Sequence, residues 1–127
     1  MNKSQPSNLE MQVLSLLWAK GPLGARQVLE ELPDKKERAY TTVLSVMQVM
    51  EKKGLLRHET EGNRHIYAPK VRKSEVLGSF LRGLVSNVFG GSAASAMQHL
   101  LQTAPVSKEE IDEMRALLDA HSKNAKP

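Results

Sequence analysis

The sequence predicts a mainly α-helical fold with one small β-hairpin. Apolar residues recur at three- and four-residue spacing in six separate stretches. One pair of short runs flanks a Gly62-Asn63 turn, the pattern of a hairpin. Charge divides the chain: residues 1–72 carry 12 Lys/Arg and 8 Asp/Glu, and residues 73–127 carry 6 of each. A basic first part beside a neutral second part suggests a polyanion-binding unit joined to something with another job.

The elements follow in order. Ser7 and Glu10 are spaced for a capping box at the start of a helix that runs to Lys20. Leu9, Val13, Leu16 and Leu17 form its stripe, and Met11, Leu14 and Trp18 widen it, so this helix is buried on more than one side. Gly21-Pro22 ends it, because proline disfavours helical geometry in the residue before it. A short second helix spans about Gly24–Leu32 on Ala25, Val28, Leu29 and Leu32, and Pro33 stops it. Residues 34–38 are dense in charge and read as a solvated connection.

The third helix spans about Tyr40–Lys53, with Val43, Val46, Met47 and Met50 on its apolar face. Thr41, Ser45, Gln48 and Lys52 share a polar face without an acid, and Gly54 closes the helix. Leu55–Thr60 and Arg64–Ala68 are the strands of the hairpin, ended by Pro69.

A long helix follows from about Lys73 to Phe89, its stripe made of Leu77, Phe80, Leu81, Leu84, Val85 and Val88. Gly90-Gly91 breaks it and Ser92 caps a shorter helix that carries Met97, Leu100 and Leu101. Ser107 and Glu110 are spaced for a second capping box, with Val106 and Ile111 placed for a hydrophobic staple. The last helix carries Ile111, Met114, Leu117 and Leu118 and frays near His121; residues 122–127 read as a disordered tail.

Composition excludes several classes. The 127 residues are 40% hydrophobic and 25% charged, with a net charge of +4, ordinary for a folded domain. With no cysteine there is no disulfide, thiolate metal site or cysteine nucleophile. No apolar run approaches the roughly 20 residues of a membrane helix, and the first residues lack a signal-peptide pattern. The expected location is the cytoplasm, without membrane insertion. The four histidines show no HExxH spacing, and neither a GxSxG elbow nor a phosphate-binding loop is present. Gly90-Gly91-Ser92 reads as an interhelical turn. His58 and His65 could face each other across the hairpin, but two ligands make a weak metal site. No enzyme activity, metal or cofactor is expected.

Three helices and a hairpin within about 65 residues make the winged helix-turn-helix plan, expected over residues 7–70. The major groove of DNA admits one α-helix, and the third helix suits it. Thr41, Thr42 and Ser45 offer hydroxyls, and Gln48 offers an amide that can pair with adenine. Tyr40 opens this helix. Arg64 and His65 near the hairpin tip can reach a phosphate or the minor groove, and Lys52, Lys53 and Arg57 add phosphate attraction. Residues 73–121 form separate amphipathic helices that can hardly close a core alone. Their stripes are read as a dimerisation region, and a two-fold dimer would match a two-fold operator. The alternatives are helices folded back on the first domain, or a winged helix that docks on protein and binds no DNA.

At these residues the chain resembles the penicillinase and methicillin-resistance repressors, the BlaI/MecI family. The matching stretches are Leu9–Leu14 with Trp18, Val28–Leu32, Ala39–Leu44, Lys53–Leu56, Arg64–Tyr67, Phe89–Ser92 and Val106–Ile111. The resemblance covers about Leu9 to Leu118. It implies a homodimeric repressor on a palindromic operator, with DNA contacts at Thr41, Thr42, Ser45 and Arg64. It also implies relief by cleavage in the C-terminal half, triggered by a membrane-bound sensor metallopeptidase that detects a β-lactam. The Asn-Phe bond cleaved in well-known members corresponds by register to Gln98-His99, so that bond is not reproduced.

Overall fold

The computed structural model describes residues 6–125. The first five residues, read above for a leader pattern, and the last two of the expected tail lie outside the described residues. The elements are α1 (Asn8–Lys20), α2 (Ala25–Glu31), α3 (Tyr40–Lys52), β1 (Leu56–Glu61), β2 (Arg64–Pro69), α4 (Lys73–Val88), α5 (Ala93–Thr103) and α6 (Lys108–Ser122). The chain divides into two compact units, and the division falls inside α4, between Leu81 and Arg82.

The first unit is built on one apolar core. Val13, Leu14 and Leu17 of α1 meet Val28 of α2 and Val43, Met47 and Met50 of α3, and Leu56 and Tyr67 of the hairpin close it. The expected capping box is present on α1. The Glu10 N–H donates to Ser7 Oγ at 3.1 Å, and the Ser7 N–H donates to Glu10 Oε1 at 2.9 Å. The strands pair antiparallel, Leu56 opposite Pro69 and Glu61 opposite Arg64. Between them Gly62 takes φ 62°, a left-handed conformation that glycine adopts without a steric cost at the first position of a tight hairpin turn.

The loop before α2 joins this sheet. Leu23 exchanges both backbone hydrogen bonds with Tyr67, at 3.1 and 2.8 Å. The segment leading to α4 is also tied down: the Trp18 indole N–H donates to the Val71 carbonyl at 3.1 Å, and Val71 and Val76 pack on the core.

Residues 35–37 are exposed, as a solvated connection would be, but the two ends of the segment are held by polar contacts. Arg38 grips Asp34 with two parallel hydrogen bonds of 2.9 and 2.8 Å. Gln12 of α1 donates to the same carboxylate, and so does the Lys36 N–H. A run with no apolar residue is thus fixed by polar contacts, which the density of charge concealed. The Arg38 hydrogen bonds, then those from Lys36 and Gln12, hold the Asp34 carboxyl well below the usual carboxylate range.

In the second unit Ser92 caps α5 as expected, and Ser107 Oγ accepts the Glu110 N–H at 3.1 Å, one half of the expected box. Gly90 and Gly91 make the turn between α4 and α5. Helix α6 continues through Ser122, with turn hydrogen bonds to Asn124 and Ala125 where a tail was expected. Among the described residues, α4, α5 and α6 contribute no buried side chain.

Two predictions follow from these contacts. Asp34 titrates lower in the folded chain than in the unfolded one, so its stabilising effect is complete above the ordinary carboxylate value of 3.8 and is lost as pH falls below it. Asp34→Asn should therefore lower stability at neutral pH and flatten the acid limb of the stability profile, read by thermal melts between pH 2 and 7; an unchanged acid limb would contradict the contact. Glu10 is buried and Lys53 pairs with it at 2.9 Å. Lys53→Met leaves that carboxylate without its cation and should cost about 1–2 kcal/mol in urea unfolding.

Candidate nucleic-acid interface

Helix α3 presents its outward face because its apolar residues are drawn inward. Val43, Met47 and Met50 are fully buried. At 100° per residue the opposite side then holds Thr41, Thr42, Ser45, Gln48 and Lys52, all exposed. The two threonines are free of capping work. Ala39 occupies the N-cap, with no side-chain hydrogen bond to the helix start. The only acid of α3, Glu51, is held toward the wing: both its carboxylate oxygens lie 2.8 Å from His58 Nδ1. A carboxylate that would repel phosphate is thereby kept to the side.

All ten residues that the sequence nominated for DNA contact are exposed, but the structure sorts them. Tyr40, Gln48, Arg64 and His65 surround one groove of about 440 Å³ between the start of α2, helix α3 and the hairpin tip. Thr41, Thr42, Ser45 and Lys52 lie outside the groove, on the outward face of α3. The other two cations are engaged elsewhere. Lys53 is paired with Glu10, and Arg57 stands 3.5 Å from Glu59 in an open, exposed pair, which contributes little to stability. Among the described residues, Lys52 and Arg64 have no acid partner within ion-pair distance.

The groove also holds residues that the sequence reading missed. Arg26 of α2 lies over the Tyr40 ring, its guanidinium carbon 4.6 Å from the ring centre. Such a contact holds the cation by attraction to the π face while leaving its N–H groups available. Gln27 lines the same groove, and its side-chain oxygen accepts the Gly24 N–H. The available signal was the polar side of α2, which alternates with Ala25 and Val28; the approach of Arg26 to Tyr40 depends on how the two helices cross.

His58 and His65 do face each other, as parallel rings 4.0 Å apart. Among the described residues no three metal-ligating side chains stand together. Tyr67 lies beneath them, and its phenol is pushed up by burial and then by the charge of Glu51.

The residues nominated for dimerisation occupy α4, α5 and α6. Phe80, Leu81, Leu84, Val88, Leu100, Leu101, Leu117 and Leu118 are exposed, whereas Leu77, Val85, Met97, Ile111 and Met114 are half-buried. Gln98 and His99 sit inside α5, both exposed, with the His99 ring 5.3 Å from Phe89. No helix among the described residues is long and apolar enough to cross a membrane.

Comparison with known proteins gives the chain a family. The penicillinase repressor family model matches residues 6–120. A transcriptional regulator BlaI of Mycobacterium tuberculosis is 34% identical over 113 residues, covering 87% of this chain and 80% of its own. A penicillinase repressor of Bacillus licheniformis is 25% identical over 122 residues, 96% of this chain and 95% of its own. A solution structure of the B. licheniformis BlaI monomeric form with the blaP half-operator overlaps 58% of this chain and 90% of its own, with 26% identity and a TM-score of 0.48. The span of the family match and the identity to the mycobacterial regulator together place this chain in the penicillinase repressor family, that of the BlaI and MecI transcriptional repressors.

Proposed function

We propose that the chain is a homodimeric transcriptional repressor that acts in the cytoplasm on a palindromic operator. The observation that carries this reading is the outward face of α3, where hydroxyl, amide and ammonium groups stand free of any carboxylate. In this reading α3 enters the major groove. Thr42, Ser45 and Gln48 meet base edges, and Lys52, Arg64 and His65 meet the backbone. Arg26 joins the backbone contacts from α2. The reading is not enzymatic; it needs no cofactor and no metal.

The uncovered apolar stripes of α4, α5 and α6 support the dimer. Exposed leucines at helical spacing on three consecutive helices are a poor solution for a lone chain in water. A second copy offers the same stripe in return. Two joined heads then bind a symmetric site more tightly than either alone, because the second contact becomes intramolecular. Relief by proteolysis fits the same design. A cut near Gln98-His99 would separate α6 and part of α5 from the DNA-binding unit, and a membrane-bound sensor metallopeptidase is the partner class it implies. The names of the relatives, penicillinase repressor and methicillin resistance regulatory protein, suggest resistance genes as targets.

The deciding experiment is a gel shift with DNA from upstream of the chain's own gene. Tight binding that weakens steeply with salt is expected, since phosphate contacts release counterions. Lys52→Ala should reduce the slope of log affinity against log salt by about 1. Thr42→Ala should cut discrimination between operator and random duplex by about fivefold, the worth of one hydrogen bond, while general affinity stays close to wild type. Failure to bind at low salt would favour a protein-docking winged helix. For the dimer, Leu84→Asp should yield monomers in sedimentation equilibrium; a variant that stays dimeric would move the interface away from α4.

A further inference from the structure

We propose that Val49 is a specificity-determining residue, its methyl groups packing on the 5-methyl group of a thymine in the major groove. The proposal rests on α3 being the element that enters that groove. It begins from an anomaly of burial. Among the described residues before α4, the only exposed large hydrophobic side chains are Tyr40 and Val49, both on α3. Tyr40 is partly covered, since Arg26 lies across its ring. Val49 is 46% exposed and has no such cover.

Its position on the helix gives the exposure a meaning. At 100° per residue Val49 projects about 20° from Thr42 and about 40° from Ser45, and about 160°, 120° and 100° from the buried Met47, Val43 and Met50. It therefore stands beside Thr42 and Ser45, on the flank of the outward face. A lone exposed valine needs no explanation on an arbitrary surface. On this face it replaces a hydrogen-bonding group with one that can make only apolar contact. The major groove offers one apolar group on its base edges, the thymine methyl.

The neighbouring chemistry points the same way. Reading cytosine takes a carboxylate acceptor, and the only acid of α3 is held at His58. Reading guanine takes arginine or lysine; α3 has no arginine, and its exposed lysine, Lys52, is placed on the backbone under the proposed function. What remains nearest Val49 around the helix is Ser45, whose hydroxyl can meet either base, and the methyl-bearing Thr42. Val49 among these groups thus matches a thymine, its methyl groups on the 5-methyl group of the base.

The test uses the full-length chain and a duplex selected from a random pool. Each thymine of the selected duplex is replaced singly by deoxyuridine, which keeps every hydrogen-bonding group and removes only the methyl. Wild type should lose about fourfold in affinity at one thymine per half-site, the worth of one buried methyl-sized group. Val49→Ala should bind the thymine and uracil duplexes equally at that position, with an unchanged salt slope. If Val49→Ala keeps the wild-type thymine-to-uracil ratio at every position, the assignment is overturned. If Thr42→Ser abolishes the ratio instead and Val49→Ala does not, the methyl is read by Thr42 and the assignment is likewise overturned. A pool that yields no bound duplex would refute the DNA reading itself, and this inference with it.

Discussion

Tyr67 is the fastening on which the geometry of the candidate interface depends. Its side chain is 1% exposed, among the core residues of α1, α2 and α3. Its backbone is paired on one edge with His58 and on the other with Leu23. One residue thus ties the wing, the loop before α2 and the helical core together. The tip of the wing, at Arg64 and His65, lies only three and two residues before Tyr67 on β2. Any change that loosened Tyr67 would let that tip swing relative to α3. The groove between them would then lose its fixed width. Burying a tyrosine this completely removes a large apolar area from water.

Three acids of the first unit are engaged away from the outward face of α3. Glu10 takes Lys53, Asp34 takes Arg38, and Glu51 takes His58. Each pair has a structural role, in capping α1, fixing the loop before α3, or joining α3 to the wing. Each also withdraws a carboxylate from the side where phosphate would approach. The net charge of +4 is modest, so a face cleared of acids matters more than the total. Field at short range is set by which charges are near and unpaired, and screening removes most of the rest beyond about 10 Å.

Much of this was legible in the sequence, for identifiable reasons. Helices α1 and α3 have strong apolar periodicity and clear stops at Gly21 and Gly54, so their bounds were readable to within a residue. The Gly62-Asn63 turn fixed the hairpin. The outward face of α3 was readable because its polar residues share one side of a helix. What escaped the reading were contacts between residues distant in sequence. Lys53 looked like a free cation because Glu10 lies 43 positions away. Residues 34–38 looked solvated because Gln12 belongs to another helix. Arg26 looked like an ordinary surface residue because Tyr40 reaches it only through the crossing of α2 and α3. Periodicity reports which side of an element is apolar, and it carries no information about which polar group on one element finds a partner on another.

The contrast between the two halves has a thermodynamic meaning. The first unit closes its own core: α1, α2, α3 and the hairpin all contribute buried residues. Among the described residues, α4, α5 and α6 contribute none, and eight of their large apolar side chains are exposed, six of them in the second unit. A chain so arranged folds its reading head independently but leaves the apolar area of the remaining helices to be covered by association. Under the proposed dimer this separation is useful. Because the core of the head is built by α1, α2, α3 and the hairpin, with only the start of α4 packing on it through Val76, losing the helices beyond that point would leave it folded. It would nevertheless bind poorly, since a single head has lost the gain from joined binding. Repression would then be switched by altering the connection between two heads, without distorting the surface that reads the DNA.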